Sequence, residues 1–187
     1  MKRLLSLIIV LCFLLLSACS KGVEANDYYS IKREKNGTYS YIIRNKSGKT
    51  IVEETELTKE PKINLIEENI LKISFQAGTG LSTRWTCYVN VLSGEKSGYY
   101  YSVLGEYNGK VIYPNTSVIG TLENNLTLLI HGYFDMPITG QEISLNDVAD
   151  CVDPFLDFTV NDDGTAEISY LSGDSAIIEK TVIFTIK

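Results

Sequence analysis

Short segments of alternating apolar and polar residues, rich in Ile, Val, Thr and Tyr, fill the chain from Tyr28 to its end. Alternation with period two is typical of β-strands, because successive side chains of a strand point to opposite faces. The dipeptide Asn108-Gly109 lies between two such segments and favours a type I′ hairpin turn, whose central residues need positive φ. Residues 126–134 are largely apolar, which predicts a central strand covered on both faces. The sequence therefore predicts an all-β fold, an antiparallel meander of many short strands.

The arrangement of these strands stays open between two architectures. Residues 41–49 and 88–95 each contain a Tyr-led strand followed by Ser-Gly, and Ser47 and Ser93 stand 46 residues apart. That step is close to the roughly 40–50 residues of a propeller blade. A two-sheet antiparallel sandwich meets the same strand pattern. We therefore expect either propeller-like four-stranded units, which the repeat favours, or a two-sheet sandwich.

One segment departs from the period of two. Residues 144–147 (Ser-Leu-Asn-Asp) can form a capping box at a helix N-terminus. Residues 145, 148, 149 and 152 are apolar and recur at the spacing of one helical stripe. Pro154 would end such a helix. The pattern predicts one short helix near residues 145–152, laid over an end or face of the sheets.

The N-terminus has the three parts of a secretory signal. Lys2 and Arg3 precede an apolar run over residues 4–16, and small residues follow it. Thirteen residues are too few to cross a bilayer, which takes about 20. The segment therefore predicts export and cleavage rather than a retained span.

The end of this segment, Leu16-Ser17-Ala18-Cys19, resembles the lipobox of bacterial lipoproteins. In that family, cleavage falls before the cysteine and its thiol receives a diacylglycerol. The resemblance implies a signal peptide over residues 1–18, a lipid-anchored tether over 19–27 and a single β-rich domain over 28–187. It further implies a protein anchored through Cys19 on the extracytoplasmic face of the cell membrane. Residues 85–96 also resemble small exported lipoproteins of Gram-positive bacteria that have no known activity, which implies no ligand.

Charge is unevenly distributed along the exported part. The net charge after residue 18 is −8, with +2 over residues 20–110 and −10 over residues 111–187. An acidic half disfavours binding to nucleic acid or to anionic lipid headgroups. We therefore expect no nucleic-acid partner, and we attribute the negative charge to solubility and to repulsion from an anionic envelope.

Two cysteines remain once Cys12 leaves with the signal and Cys19 is assigned to the lipid. Cys87 and Cys151 lie in a compartment where disulfides can form. The alternative is a pair of buried free thiols that pack as small apolar groups. The sequence leaves the Cys87–Cys151 disulfide and the free thiols as open alternatives.

Two features suggest chemistry, and each has a simpler explanation. The lone histidine, His131, lies on an apolar strand without a second ligand at metal spacing, which favours a structural role over catalysis or metal binding. The acidic residues between Asp147 and Asp163 could supply oxygen ligands to calcium or carboxylates to a hydrolase. Their spacing matches no EF-hand loop, so we interpret them mainly as a solvated surface. They are Asp147, Asp150, Asp153, Asp157, Asp162 and Asp163.

Twelve tyrosines and one tryptophan give the domain an aromatic-rich sheet. In a sheet with a single core, aromatics such as Tyr88 and Tyr100 would have to lie on the exposed face, where they could bind a glycan or an envelope protein. We predict no catalytic, metal or cofactor residues. The favoured hypothesis is a membrane-anchored binding or interaction module. The alternative is an envelope-associated hydrolase that uses the Asp147–Asp163 cluster.

Overall fold

A computed structural model describes residues 27–76, 84–115, 125–135, 140–149, 154–173 and 177–187. The signal, Cys19 and most of the tether lie outside these residues, as do Asp150, Cys151 and Asp153. The described strands, in chain order, are β1 (Tyr29–Arg33), β2 (Tyr39–Arg44), β3 (Thr50–Leu57), β4 (Lys62–Glu67), β5 (Ile70–Gln76), β6 (Arg84–Asn90), β7 (Tyr100–Tyr101), β8 (Gly105–Tyr107), β9 (Lys110–Pro114), β10 (Leu126–Gly132), β11 (Gln141–Leu145), β12 (Phe155–Val160), β13 (Thr165–Ser172) and β14 (Ile178–Thr185).

These strands form four antiparallel sheets, each built from consecutive strands of the chain. Sheet 1 contains β1–β3, sheet 2 contains β4–β7, sheet 3 contains β8–β11 and sheet 4 contains β12–β14. Every neighbouring pair is antiparallel and joined in chain order. The all-β fold class and the antiparallel meander are therefore confirmed.

The sheets stack on one another in chain order. One core cluster joins sheets 1 and 2, a second joins sheets 2 and 3, and two more join sheets 3 and 4. Within the described residues, no core cluster joins sheets 1 and 4. The units have the three or four strands of a propeller blade, and each neighbouring pair packs face to face as in a sandwich.

Sheet 2 buries both of its faces. Cys87 and Val89 of β6 belong to the core shared with sheet 1. Tyr88 lies between them in the chain and points the opposite way, into the core shared with sheet 3, where Tyr100 joins it. Tyr88 is 0% exposed and its hydroxyl donates to Glu106 at 2.8 Å. The expectation that Tyr88 and Tyr100 lie on an exposed face is wrong, because this sheet has two cores.

Sheet 3 confirms two local predictions. Strand β10 pairs with both β9 and β11, and it buries Leu128 toward sheet 4 and Leu129 toward sheet 2. The predicted central strand is therefore covered on both faces. Asn108 and Gly109 have φ of 46° and 76°, so they form the predicted turn between β8 and β9.

The predicted helix does not form over residues 145–149. Leu145 ends β11 opposite Leu126, and its side chain is fully buried between sheets 3 and 4. Asp147 has a φ of 55°, which a right-handed helix does not allow. Val148 then forms a β-bridge with Ser172. Pairing with the two sheets outweighs the local helical pattern, and residues 150–152 lie outside the described part.

The described part of the chain contains no helix. None of its segments therefore makes a helix long and apolar enough to cross a membrane.

Candidate functional site

An open pocket lies where sheets 1 and 2 meet. Its volume is about 310 Å³ and its walls are mostly apolar. We call it the aromatic pocket, and its lining residues are Tyr41, Glu54, Leu57, Phe75, Trp85 and Tyr99. The volume lies at the lower end of the range that binds small ligands, roughly 300–1,000 Å³.

A β-bulge on β3 brings two of the lining residues to the same face. Tyr39 pairs with Leu57, whereas Tyr41 pairs with Glu54, so β3 carries one residue more than β2 over this stretch. Glu56, inside the bulge, has a φ of 61°. Residues three apart on a regular strand would point to opposite faces, and the extra residue cancels that difference. Glu54 and Leu57 therefore both face the pocket.

Sheet 2 supplies three aromatic rings. Phe75 of β5 and Trp85 of β6 are direct cross-strand partners, which places their rings side by side on one face. Tyr99, just before β7, stands nearly perpendicular to both. Its ring lies 5.7 Å from Phe75 at 87° and 6.4 Å from Trp85 at 86°. Edge-to-face contacts of this kind fix ring orientation, so the three rings form pre-arranged walls.

A charged pair closes one side of the pocket. The Lys96 ammonium donates to Glu54 Oε1 at 2.9 Å and to the Tyr99 hydroxyl at 2.9 Å, and that hydroxyl donates to the same carboxylate oxygen at 3.1 Å. The hydrogen bond from Lys96 lowers the pKa of Glu54 although burial opposes the shift. Burial works against the charge of Lys96, but its bonds to Tyr99 and Glu54 outweigh it and raise the Lys96 pKa. Both groups are thus charged at neutral pH.

The Tyr41 hydroxyl is buried without a partner. Tyr41 is 1% exposed, and its hydroxyl has no hydrogen-bond partner among the described residues. Burial raises the pKa of Tyr41, so the group stays a neutral phenol. A buried hydroxyl that makes no bond costs about 1–3 kcal/mol.

His131 is buried, and both of its ring nitrogens lie within hydrogen-bond distance of a neighbouring group. It is 3% exposed and lies between sheets 2 and 3, with the rings of Tyr100 and Tyr113 each 5.4 Å away. Its Nδ1 is 2.9 Å from the carbonyl of Gly132, which can only accept, so Nδ1 carries a proton. Its Nε2 is 2.8 Å from the Tyr113 hydroxyl. Both ring nitrogens are used inside the core, away from the aromatic pocket.

The structure does not bring the two ends of the acidic cluster, Asp147 and Asp163, together. Asp147 bonds Gly173 at one end of β13, whereas Asp163 lies just before the other end. Eight residues of strand separate them by roughly 25 Å. Asp147 pairs with Lys180 at 3.1 Å, and Asp163 accepts from Thr165 within its own turn. No group of three or more His, Cys, Asp or Glu residues suited to a metal occurs in the ranges that the structure describes.

Cys87 is a free thiol within the core between sheets 1 and 2. Burial raises its pKa to about 12, so the reactive thiolate is scarcely populated at neutral pH. This fits the alternative in which the thiol packs as a small apolar group. Its proposed partner, Cys151, lies outside the described residues, so the disulfide stays a prediction.

Sequence reasoning named the tyrosines and the tryptophan as candidate binding groups but missed Glu54, Leu57 and Phe75. Glu54 carried a signal, because it shares the core-facing side of β3 with the buried Val52. A carboxylate at an inward position of an alternating strand breaks the pattern, and such breaks concentrate at functional sites.

No protein-family model, no curated protein and no solved structure matches this chain. The class that the fold and the pocket define is an all-β domain of four stacked antiparallel sheets with an aromatic pocket between the first two.

Proposed function

We propose that this protein is a lipoprotein anchored through Cys19 on the extracytoplasmic face of the cell membrane, and that its β domain binds a ligand in the aromatic pocket. The anchor is supported by the resemblance of Leu16-Ser17-Ala18-Cys19 to a lipobox. The binding role is carried by one observation, the open, mostly apolar pocket between sheets 1 and 2 whose walls include the rings of Phe75, Trp85 and Tyr99.

The pocket's chemistry favours binding over catalysis. Glycoside hydrolysis generally needs two carboxyl groups about 5–10 Å apart, and the lining contains one, Glu54. Two donors already engage Glu54 Oε1, the Lys96 ammonium and the Tyr99 hydroxyl. Their bonds stabilise the charged form and so disfavour a role as general acid. Rigid aromatic walls with few polar groups are instead typical of recognition sites.

Trp85 provides a direct assay of binding, since it is the chain's one tryptophan and lines the pocket. Mature protein in liposomes is titrated with soluble glycans, peptides and small metabolites of the envelope while its fluorescence is followed. A bound ligand should shift the emission saturably.

Two leucines make a matched pair of variants for this titration. Leu57→Ala removes a pocket wall, whereas Leu65→Ala removes a leucine that is 45% exposed on β4. We expect Leu57→Ala to weaken binding about threefold or more, as loss of buried apolar contact predicts, and Leu65→Ala to leave it unchanged. If the two variants bind the ligand with equal affinity, the ligand binds outside the aromatic pocket.

The anchor is tested separately by mass spectrometry of the membrane fraction. The native N-terminal peptide should begin at Cys19 with a diacylglycerol attached, and Cys19→Ala should abolish that modification. Release of the native protein as an unmodified secreted species would contradict the assignment.

A further inference from the structure

The chain enters the β domain beside one particular turn of sheet 1. The amide of Arg44 donates to the carbonyl of Tyr28, the residue before β1, at 2.7 Å. Residues 45–49, which connect β2 to β3, follow Arg44 directly. Tyr28 comes nine residues after Cys19, a stretch that spans at most about 30 Å when fully extended. A lipid on Cys19 therefore keeps this turn close to the headgroups of the membrane.

The turn is positively charged, and we call residues 44–49 the basic turn. Residues 39–52 contain three cations, Arg44, Lys46 and Lys49, and no carboxylate. Lys46 and Lys49 are exposed, and none of the three makes an ion pair among the described residues. The basic turn therefore presents positive charge to whatever lies next to it outside the chain.

Hydrogen bonds within the basic turn hold its shape. Asn45 Oδ1 accepts from the amides of Ser47 and Lys49 at 3.0 and 2.9 Å, and from the Ser47 hydroxyl at 2.7 Å. Gly48 has a φ of 82°, a backbone conformation that glycine adopts without strain. Because the backbone is already ordered, a partner that contacts the turn pays little further cost in conformational entropy.

Most of the acidic charge lies on the other side of sheet 2. Residues 111–187 carry a net charge of −10, and they form most of sheet 3 and all of sheet 4. Packed sheets are about 10 Å apart, which exceeds the Debye length of about 8 Å at physiological salt. Salt therefore screens the basic turn from the acidic sheets.

Carboxylates on neighbouring segments limit the extent of the basic surface. Asp27 precedes β1, and Glu68 and Glu95 are exposed in turns of sheet 2. The turn that contains Glu95 approaches sheet 1, since a Cβ on Gly94 would lie 3.4 Å from Ile51 Cγ2. The positive surface is thus the basic turn itself and not the whole end of the stack.

We propose that the basic turn docks on anionic lipid headgroups of the membrane that carries the Cys19 anchor. This inference rests on the proposed anchor and adds a second contact to it. Lysine and arginine pair with lipid phosphates, and each one near an anionic surface strengthens binding by roughly a factor of five. The anchor supplies headgroups at high local concentration, so three cations are enough for docking.

Docking through the basic turn gives the domain one orientation on the membrane. Sheet 1 lies toward the bilayer, and the acidic sheets 3 and 4 are repelled from the same surface. Leu57 and Trp85 lie at the ends of β3 and β6 that are remote from the basic turn. The aromatic pocket is therefore held at the end of the sheets away from the lipid.

The test measures lysine accessibility, because the anchor alone keeps the protein on vesicles of any composition. Mature lipidated protein on pure phosphatidylcholine vesicles, or on vesicles that also contain phosphatidylglycerol, is acetylated briefly with an uncharged reagent and analysed by peptide mass spectrometry. Lys46 and Lys49 should react about fivefold or more slowly on the anionic vesicles, and high salt should remove the difference. Lys35, exposed in the turn at the other end of β2, should react equally on both.

Two single substitutions form a matched pair for this assay, with Lys46 as the probe. Lys49→Gln removes one charge of the basic turn and keeps the backbone bond to Asn45. It should reduce the protection of Lys46 to about twofold or less. Lys35→Gln removes one lysine from the other turn of β2 and should leave the protection of Lys46 unchanged.

The outcomes separate docking from the anchor on which it rests. Equal acetylation of Lys46 and Lys49 on the two kinds of vesicle overturns docking, and so does equal protection of Lys35. If inorganic polyphosphate protects these lysines on neutral vesicles but phosphatidylglycerol does not, the partner is a soluble polyanion and docking is wrong. Protein that fails to float with either vesicle overturns the anchor and docking together, whereas protein that floats without protection of the basic turn overturns docking alone.

Discussion

Replacing Tyr41 by phenylalanine should stabilise the ligand-free protein. The ring of Tyr41 packs in the core between sheets 1 and 2, and the substitution retains it. It removes only the hydroxyl, which is buried and makes no hydrogen bond with the described residues. The substitution therefore creates no large cavity, and it removes the free-energy cost of a buried hydroxyl that makes no hydrogen bond.

The size of the effect follows from the cost of an unsatisfied buried hydroxyl, about 1–3 kcal/mol. We therefore expect Tyr41→Phe to raise the free energy of unfolding by about 1–2 kcal/mol, the lower part of that range. For a domain of this length, each kcal/mol raises Tm by about 2–4 °C, so the expected increase is about 2–8 °C.

Thermal and urea unfolding of both proteins measure this difference, with Tyr100→Phe as the control. The Tyr100 hydroxyl donates to the carbonyl of Tyr133 at 2.6 Å, so its removal leaves that acceptor unpaired. The control should lose about 1 kcal/mol, opposite in sign to Tyr41→Phe. If Tyr41→Phe proves neutral or destabilising, the hydroxyl has a hydrogen-bond partner in solution and this reasoning is wrong.

Three further predictions follow from single contacts. Cys87 should resist iodoacetamide at pH 8 in the folded protein and react on unfolding, because burial raises its pKa to about 12; rapid labelling of its peptide in native protein, seen by mass spectrometry, would contradict this. Gly140→Ala should destabilise the fold by about 1–3 kcal/mol in urea unfolding, because a Cβ there would lie 2.2 Å from the backbone oxygen of Ile130. Lys96 holds the Glu54 pKa below its ordinary 4.5, so the stability that this pair supplies is retained at neutral pH and lost as pH falls through that lowered value; a Glu54→Gln variant whose stability falls with pH just as the native protein's does would contradict this.

The strands were predictable because their signals are local. Alternation identifies a strand from a few residues, and the Asn108-Gly109 turn depends only on two backbone conformations. The number of stacked sheets cannot be predicted from local sequence. Tyr88, for example, is buried by sheet 3, whose strands come later in the chain. The helical stripe at residues 145–149 was misleading for the same reason. Leu145 and Val148 are apolar because they pack between sheets, and that spacing also fits a helix.

The aromatic pocket shows where sequence reasoning could go further. Its residues come from two sheets, so no spacing along the chain predicts that Tyr41 and Trp85 line one cavity. The bulge at Glu56 is not predictable either, because the local sequence contains no signal for an extra residue in the strand. Yet a strand that places Val52 and Glu54 on one face puts a carboxylate on the core side, and burial requires a partner for it. The structure supplies that partner as Lys96, which lies beside Glu54 and Tyr99 at one side of the aromatic pocket.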